Sequence, residues 1–306
     1  MKRPLVVALP GQDKLGERVA EEISGDLAAG VIRSFPDGET YVRILSPVEG
    51  RPVILAGTLD QPNQRALPLM MVARTLRDLR PLSMGLATPY LPYLRQDARF
   101  HPGEGLTSRY FGELLSGLFD WLVTVDPHLH RLDTLRGTYS IPHRLVSSGA
   151  AVARWVGAQV PNPLLVGPDE ESEQWVEPIA AAGGFRRVIL KKERSGDFDV
   201  EVSALPVGDA PPGGWASYTP VLIDDIISTG RTMVEAIKSL QDAGMPAPIC
   251  LGIHGLFVED AREVLETAGA ARVVTCNTVA HETNQIDVLP DLAAAVEAFL
   301  HDGEGS

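Results

Sequence analysis

Cysteine is scarce: the 306-residue chain has two, Cys250 and Cys276. Both fall in stretches that read as strands and neither has a ligand-like spacing. That excludes a disulfide framework and a zinc module and leaves reduced core thiols. Positive charge is short as well. Lys and Arg number 27 against 40 Asp and Glu, a formal charge of −13, which argues against a general nucleic-acid binder. No apolar run is long enough to span a bilayer, and the amino-terminus has no signal-peptide core. Low-complexity tracts are missing too. The expectation is a cytoplasmic globular protein that touches neither nucleic acid nor membrane, though locally converging basic groups and a divalent cation would still allow it to hold a polyphosphate.

What is present is ordinary globular composition, 44% hydrophobic and 22% charged, in a chain longer than a usual single domain. Short apolar runs alternate with stretches of helical period. Strands are expected near 5–9, 53–57, 82–87 and 121–125, and helices near 13–23, 63–79 and 107–118. This is the pattern of a mainly parallel sheet covered by helices. The alternation then begins again, with a helix at 147–157, strands at 163–166, 188–190, 198–202, 249–254 and 273–276, and a last helix at 291–300. The fold class is therefore α/β, with two similar domains. The first covers 1–146 and is completed by 290–306; the second covers 147–289.

One stretch organises the second half: Pro220-Val221-Leu222-Ile223-Asp224-Asp225-Ile226-Ile227-Ser228-Thr229-Gly230-Arg231-Thr232. It reads as a buried strand, two acids at its carboxyl end, a small-residue turn and a helix over 231–243 with Val234, Ile237 and Leu240 facing a sheet. Backbone N–H groups at a helix start lack intrahelical partners, and the helix dipole favours an anion there. Ser228, Thr229 and Thr232 add hydroxyls, and Gly230 admits close backbone approach. Asp224 and Asp225 repel phosphate, so vicinal ribose hydroxyls are their natural partners. The stretch resembles the ribose-5-phosphate loop of the phosphoribosyltransferase fold.

Other stretches carry polar groups at strand ends or turns. Phe35-Pro36-Asp37-Gly38-Glu39 joins two strands by turn chemistry, and read alone it is an ordinary hairpin, although its aromatic ring beside two carboxylates suits a purine. Arg95-Gln96-Asp97 follows one strand, and Asp126-Pro127-His128 another; open α/β sheets bind ligands at such ends. Asp169 stands at a strand end before Glu170, Glu171 and Glu173, acids that complement a helix start. Lys191 to Asp197 is a basic, flexible excursion holding Lys192 and Arg194, and 210–217 is a Pro- and Gly-rich surface link.

Taken in order, these pieces resemble the ribose-phosphate diphosphokinases, also called phosphoribosyl diphosphate synthetases. In that family the β,γ-diphosphoryl group of Mg-ATP moves to the 1-hydroxyl of ribose 5-phosphate, releasing AMP. The resemblance implies that Phe35, Asp37 and Glu39, with Gly38 in the same ATP-binding turn, hold the adenine across a subunit interface. It gives Arg95, Gln96 and Asp97 to the nucleotide and makes His128 and Asp169 the Mg²⁺ residues. Lys192 and Arg194 become catalytic groups on a closing loop, with Arg194 also touching ribose 5-phosphate. Ser228, Thr229, Gly230, Arg231 and Thr232 take the 5-phosphate, and Asp224 and Asp225 the ribose hydroxyls. A homo-oligomer, with the active site between the two domains, is implied as well. Two differences stand out: Glu170-Glu171-Ser172 replaces a glycine-bearing loop, and Glu193 separates the two basic residues. The alternatives are a phosphoribosyltransferase that uses the product and a catalytically silent regulatory homologue.

Overall fold

The computed structural model describes residues 2–129, 134–194, 200–202 and 214–302; for 192–194, 200–202 and 302 it describes the backbone alone. By internal packing the chain divides into two units. One is Met1–Val146 with Leu289–Ser306, and the other is Ser147–Val288.

The first unit runs β1 (Leu5–Ala8), α1 (Asp13–Glu22), β2 (Asp26–Leu27), β3 (Gly30–Ser34), β4 (Thr40–Ile44), β5 (Pro52–Ala56), α2 (Pro62–Asp78), β6 (Ser83–Thr88), α3 (Thr107–Ser116), β7 (Trp121–Val125) and β8 (His143–Val146). Six of these strands form one sheet in the order β2-β1-β5-β6-β7-β8, every pair parallel. All five residues of β5 and of β7 are buried, as expected where helices cover both faces of a parallel sheet. Leu69, Val72, Ala73 and Leu76 of α2 join Phe111 and Leu115 of α3 in one core over β1, β5, β6 and β7. β3 and β4 form a separate antiparallel hairpin, with Ser34 opposite Thr40, so the turn chemistry at Pro36-Asp37-Gly38 gives the expected hairpin.

The second unit runs α4 (Gly149–Gln159), β9 (Pro163–Gly167), α5 (Glu173–Gly183), β10 (Arg186–Ile189), β11 (Lys192–Arg194), β12 (Val200–Val202), β13 (Thr219–Ile227), α6 (Arg231–Asp242), β14 (Ile249–Gly255), α7 (Ala261–Ala268), β15 (Arg272–Cys276) and β16 (Asn284–Ile286). Its sheet, β10-β9-β13-β14-β15-β16, is again wholly parallel. β11 and β12 pair antiparallel, with Lys192 opposite Val202. Residues 198–199 of the expected strand, and 210–213 of the expected surface link, lie outside the described residues.

The last helix, α8 (Leu289–Asp302), returns to the first unit, where it packs on α1, β7 and β8. Both cysteines are free and buried. Among the described residues no helix is long and apolar enough to cross a membrane. Each unit is thus an open α/β sheet whose strand carboxyl ends, followed by loops, are the natural ligand-binding edge.

Candidate functional site

β13 is the longest strand of its sheet and sits inside it: β9 pairs with its first part, as far as Leu222, and β14 runs beside it to Ile227. Val221, Leu222 and Ile223 are fully buried, which fixes the strand and leaves its polar end to emerge at the rim. Asp224 lies level with Gly252 of β14, and Ile226 with His254. Asp225 is buried, whereas Asp224 is half-buried, and the Asp225 N–H donates to Asp224 Oδ1 at 3.0 Å. Burial pushes the Asp224 carboxyl well above the usual carboxylate range, and the nearby charges of Asp225 and Asp169 push it further. Three carboxylates thus share one strand-end region of this unit.

The chain then turns through Ser228 and Thr229 into α6. Gly230 is the N-cap, with φ 73° and ψ 0°, a left-handed conformation that costs a side-chain-bearing residue. A Cβ there would also lie 3.2 Å from Leu265 Cγ. Glycine is needed for both reasons, beyond the close approach read from the sequence. The Gly230 carbonyl accepts the first helical bond, from the Val234 N–H at 3.0 Å. α6 buries Met233, Ala236, Ile237 and Leu240, so its apolar face is turned slightly from the Val234, Ile237 and Leu240 stripe, and Val234 is half-buried.

On the outer side of this turn the Ile227 carbonyl accepts from the Leu256 and Phe257 N–H groups at 3.0 and 3.1 Å. The Ser228 carbonyl accepts from the Val258 N–H at 3.0 Å. Behind β14, Thr278 Oγ1 donates to the Ile253 carbonyl at 2.7 Å and bonds His254 Nδ1 at 2.9 Å. The threonine proton is committed to the carbonyl, so His254 Nδ1 is the donor to it. This buried brace has no signature in the local sequence.

Asp169 follows β9, the other neighbour of β13. Its carbonyl accepts from the Ser172 N–H at 3.2 Å and also from Ser172 Oγ, closing a single 3₁₀ turn over Glu170–Ser172. Glu170 and Glu171 are exposed on that turn, and Glu173 is the acid in the first turn of α5. A Cβ on Gly167 would meet the Ser172 hydroxyl, so glycine there lets the turn fold down onto the strand. Lys192 and Arg194 fall in β11, and their side chains lie outside the described residues.

The first unit places its candidate residues at three positions. Phe35 is 39% exposed at the hairpin tip, and its N–H donates to the Glu39 carbonyl at 2.7 Å. The Asp37 carboxylate accepts from the Glu39 N–H at 3.2 Å, and Gly38 has φ 95°. The Arg33 guanidinium sits 4.8 Å from the Phe35 ring centre and 4.9 Å from that of Tyr41. One face of Phe35 is therefore braced, and its exposure leaves area for a flat ring.

Past β6, Arg95 is exposed, and Gln96 and Asp97 are half-buried. The Gln96 carbonyl accepts from the Ser108 N–H at 3.4 Å, joining this loop to α3. The next turn is tied internally, because Glu104 Oε2 accepts from the Phe100 N–H at 2.6 Å and the His101 N–H at 3.1 Å. His128 is half-buried just past β7. Asp126, two residues earlier, has φ 31° and donates its N–H to the Val146 carbonyl at 3.0 Å.

Asp169, Asp224 and Asp225 offer carboxylate oxygens, the donor type that suits a hard divalent ion, and a cation near them would relieve the charge that Asp225 and Asp169 place on Asp224. Among the described residues no three His, Cys, Asp or Glu side chains form a complete cage. Mg²⁺ is ordinarily held in that way, by one or two carboxylates together with water and substrate oxygens.

Two family descriptions match this chain. The N-terminal domain of ribose phosphate pyrophosphokinase matches residues 5–118, and the phosphoribosyl transferase domain matches residues 148–291. A ribose-phosphate pyrophosphokinase of Methanopyrus kandleri is 29% identical over 295 residues, covering 96% of this chain and 98% of that protein. One from Saccharolobus solfataricus is also 29% identical, over 288 residues, covering 93% and 96%. Among solved structures, phosphoribosylpyrophosphate synthetase from Mycobacterium smegmatis superposes with a TM-score of 0.84 at 24% identity, covering 99% of this chain and all of that one; it shows the same fold.

Proposed function

The chain belongs to the ribose phosphate pyrophosphokinase family, and we propose that it transfers the β,γ-diphosphoryl group of Mg-ATP to the 1-hydroxyl of ribose 5-phosphate, giving 5-phosphoribosyl 1-diphosphate and AMP. The observation that carries this reading is the end of β13. There a glycine-capped helix start, flanked by Ser228, Thr229 and Thr232, stands directly after two aspartates. An anion and a pair of vicinal hydroxyls need opposite partners a few ångströms apart, and this turn supplies both.

In this reading the N–H groups opening α6 and the hydroxyls of Ser228, Thr229 and Thr232 hold the 5-phosphate, with the Arg231 side chain adding charge. Asp224 and Asp225 accept from the ribose hydroxyls and orient the sugar. Phe35 stacks on the adenine while Asp37, Gly38 and Glu39 edge it, and Arg95, Gln96 and Asp97 hold the rest of the nucleotide. Asp169 holds Mg²⁺, and His128 helps to position it. The ion, when bound, screens the phosphoryl charge. Lys192 and Arg194 bring cations to the oxygens on which charge develops, since phosphoryl transfer is catalysed mainly by positioning and electrostatics. A hairpin that offers Phe35 to solvent also supports a homo-oligomer in which a second copy completes the nucleotide site.

The exposed pair Glu170 and Glu171 beside Asp169 favours a second reading, a silent homologue that binds ligands without turnover, because like charge opposes a polyphosphate. Incubation with ATP, Mg²⁺ and ribose 5-phosphate separates the two. Stoichiometric AMP and phosphoribosyl diphosphate are expected. Binding of both substrates without AMP would overturn the kinase reading in favour of the silent one.

A further inference from the structure

The turn after β14 contains two residues with left-handed backbones and no glycine to permit them: Phe257 at φ 39° and Glu259 at φ 57°. Strain of this kind persists only where surrounding structure enforces it, and it is a pointer to function. The enforcement is visible around the Phe257 ring. A Cβ on Gly255 would be 2.6 Å from Phe257 Cε2, so the ring fills the space that a side chain at 255 would take. The ring of His281 stacks on that of Phe257 at 4.3 Å between centroids and 30° between planes.

His281 is itself fixed. Its Nδ1 accepts from the Thr283 N–H at 3.3 Å and bonds the Thr283 hydroxyl at 2.9 Å, while its backbone N–H donates to Asn284 Oδ1 at 3.0 Å. Thr283 is buried and bonds Thr275 Oγ1 of β15 at 2.7 Å. The β15–β16 connection therefore clamps a phenyl ring, and the ring clamps a strained stretch of backbone.

That backbone is the stretch that meets the phosphate turn. Phe257 and Val258 give their N–H groups to the Ile227 and Ser228 carbonyls at 3.1 and 3.0 Å. In a planar trans peptide the carbonyl of one residue and the N–H of the next point in opposite directions. Drawing the Ile227 and Ser228 carbonyls toward Phe257 and Val258 turns the Ser228 and Thr229 N–H groups to the opposite side. Those are the two N–H groups immediately before the N-cap of α6, and successive N–H groups turned one way make an anion-binding concavity.

We propose that Phe257 and Val258 are positioning residues for the phosphate turn. Phe257, clamped by His281, holds the strained backbone whose N–H groups aim those of Ser228 and Thr229 at the 5-phosphate. The inference rests on the functional reading above, in that the anion is the phosphate of ribose 5-phosphate.

The test is calorimetric titration of the full-length protein with ribose 5-phosphate, and separately with inorganic phosphate, well below the unfolding temperature. Phe257→Leu keeps the bulk and loses the flat stack, and it is expected to weaken both ligands about tenfold, the scale of one hydrogen bond to a charged group. Phe257→Tyr keeps the stack and is expected to restore binding, and ATP affinity is expected to stay at the parental value in all variants. An amide-to-ester replacement at Val258 removes the N–H that holds the Ser228 carbonyl and keeps every side chain, and a similar weakening is expected. Parental ribose 5-phosphate affinity in the ester variant overturns the positioning role whatever the fate of Phe257→Leu. A parent protein that binds no ribose 5-phosphate overturns the functional reading and this inference with it.

Discussion

Phe299 of the last helix stacks on Trp121 of β7, with ring centres 4.9 Å apart and planes 11° from parallel. The Arg144 guanidinium of β8 lies 4.8 Å from the centre of the same phenyl ring. Beneath the indole is Gly85 of β6, where a Cβ would lie 2.1 Å from Trp121 Cζ2. A glycine thus makes room for an indole, and the indole gives the returning chain a surface to dock on. Phe299→Ala is expected to cost about 2 kcal/mol, since a half-buried ring loses both area and its stacking partner. Gly85→Ala is expected to cost about as much by overpacking. Thermal unfolding checks both, and an unchanged Tm in Phe299→Ala would mean that the helix end contributes nothing to the first unit.

Gly230→Ala is expected to strike ribose 5-phosphate binding selectively. The left-handed backbone costs an alanine about 1–2 kcal/mol, and its methyl group would press on Leu265 at 3.2 Å. The turn then either shifts or strains, and either displaces the N–H groups that open α6. Steady-state kinetics should show the KM for ribose 5-phosphate raised about tenfold, with the KM for ATP little changed. An unchanged KM for ribose 5-phosphate would remove the turn from the binding site.

The parts of the molecule legible in the sequence are those in which one residue type has one physical use. The apolar run Pro220 to Ile223, closed by Asp224 and Asp225 and followed by Ser-Thr-Gly, reads directly as a strand, rim and helix start, and β13 and α6 follow it. Pro36-Asp37-Gly38 reads as a turn for the same reason. The edge strands β8 and β16 are not legible in the sequence. His143 to Val146 and Asn284 to Ile286 are short and half polar, with no period to detect, and they become strands only because β7 and β15 offer them an edge. The left-handed Phe257 was invisible because its conformation comes from distant partners, Gly255 and His281. Local sequence cannot announce strain that tertiary packing imposes.

Lys192→Ala tests the closing-loop assignment, which rests on the family resemblance and on the placement of Lys192 in the β11–β12 hairpin. A cation that meets the transferring group only as charge develops contributes to turnover and little to ground-state binding. The variant is expected to lose about 10²–10⁴-fold in kcat, with the affinity for ribose 5-phosphate retained. Lost affinity with retained kcat would move Lys192 from the transition state to ground-state binding.

Asp224→Asn separates stability from function. Burial, with the charges of Asp225 and Asp169 behind it, raises the folded-state carboxyl well above its usual value. Between the unfolded and folded pKa the native state then binds more protons than the unfolded one, so stability falls as pH rises through that window. Below the unfolded pKa, about 3.9, this penalty is absent; above the raised folded value it is complete. Asp224→Asn carries no charge to bury, so the ligand-free variant is expected to gain Tm at neutral pH and to lose that gain toward acid, while its ribose 5-phosphate turnover collapses. If the proposed site is right, Mg²⁺ and ribose 5-phosphate together favour the charged carboxylate in the parent. Their binding is therefore expected to release protons, read by calorimetry in buffers of different ionisation enthalpy. A Tm difference between variant and parent that does not change with pH would show that folding leaves the Asp224 pKa where it is in the unfolded chain, and burial would then impose no charge penalty for a cation to relieve.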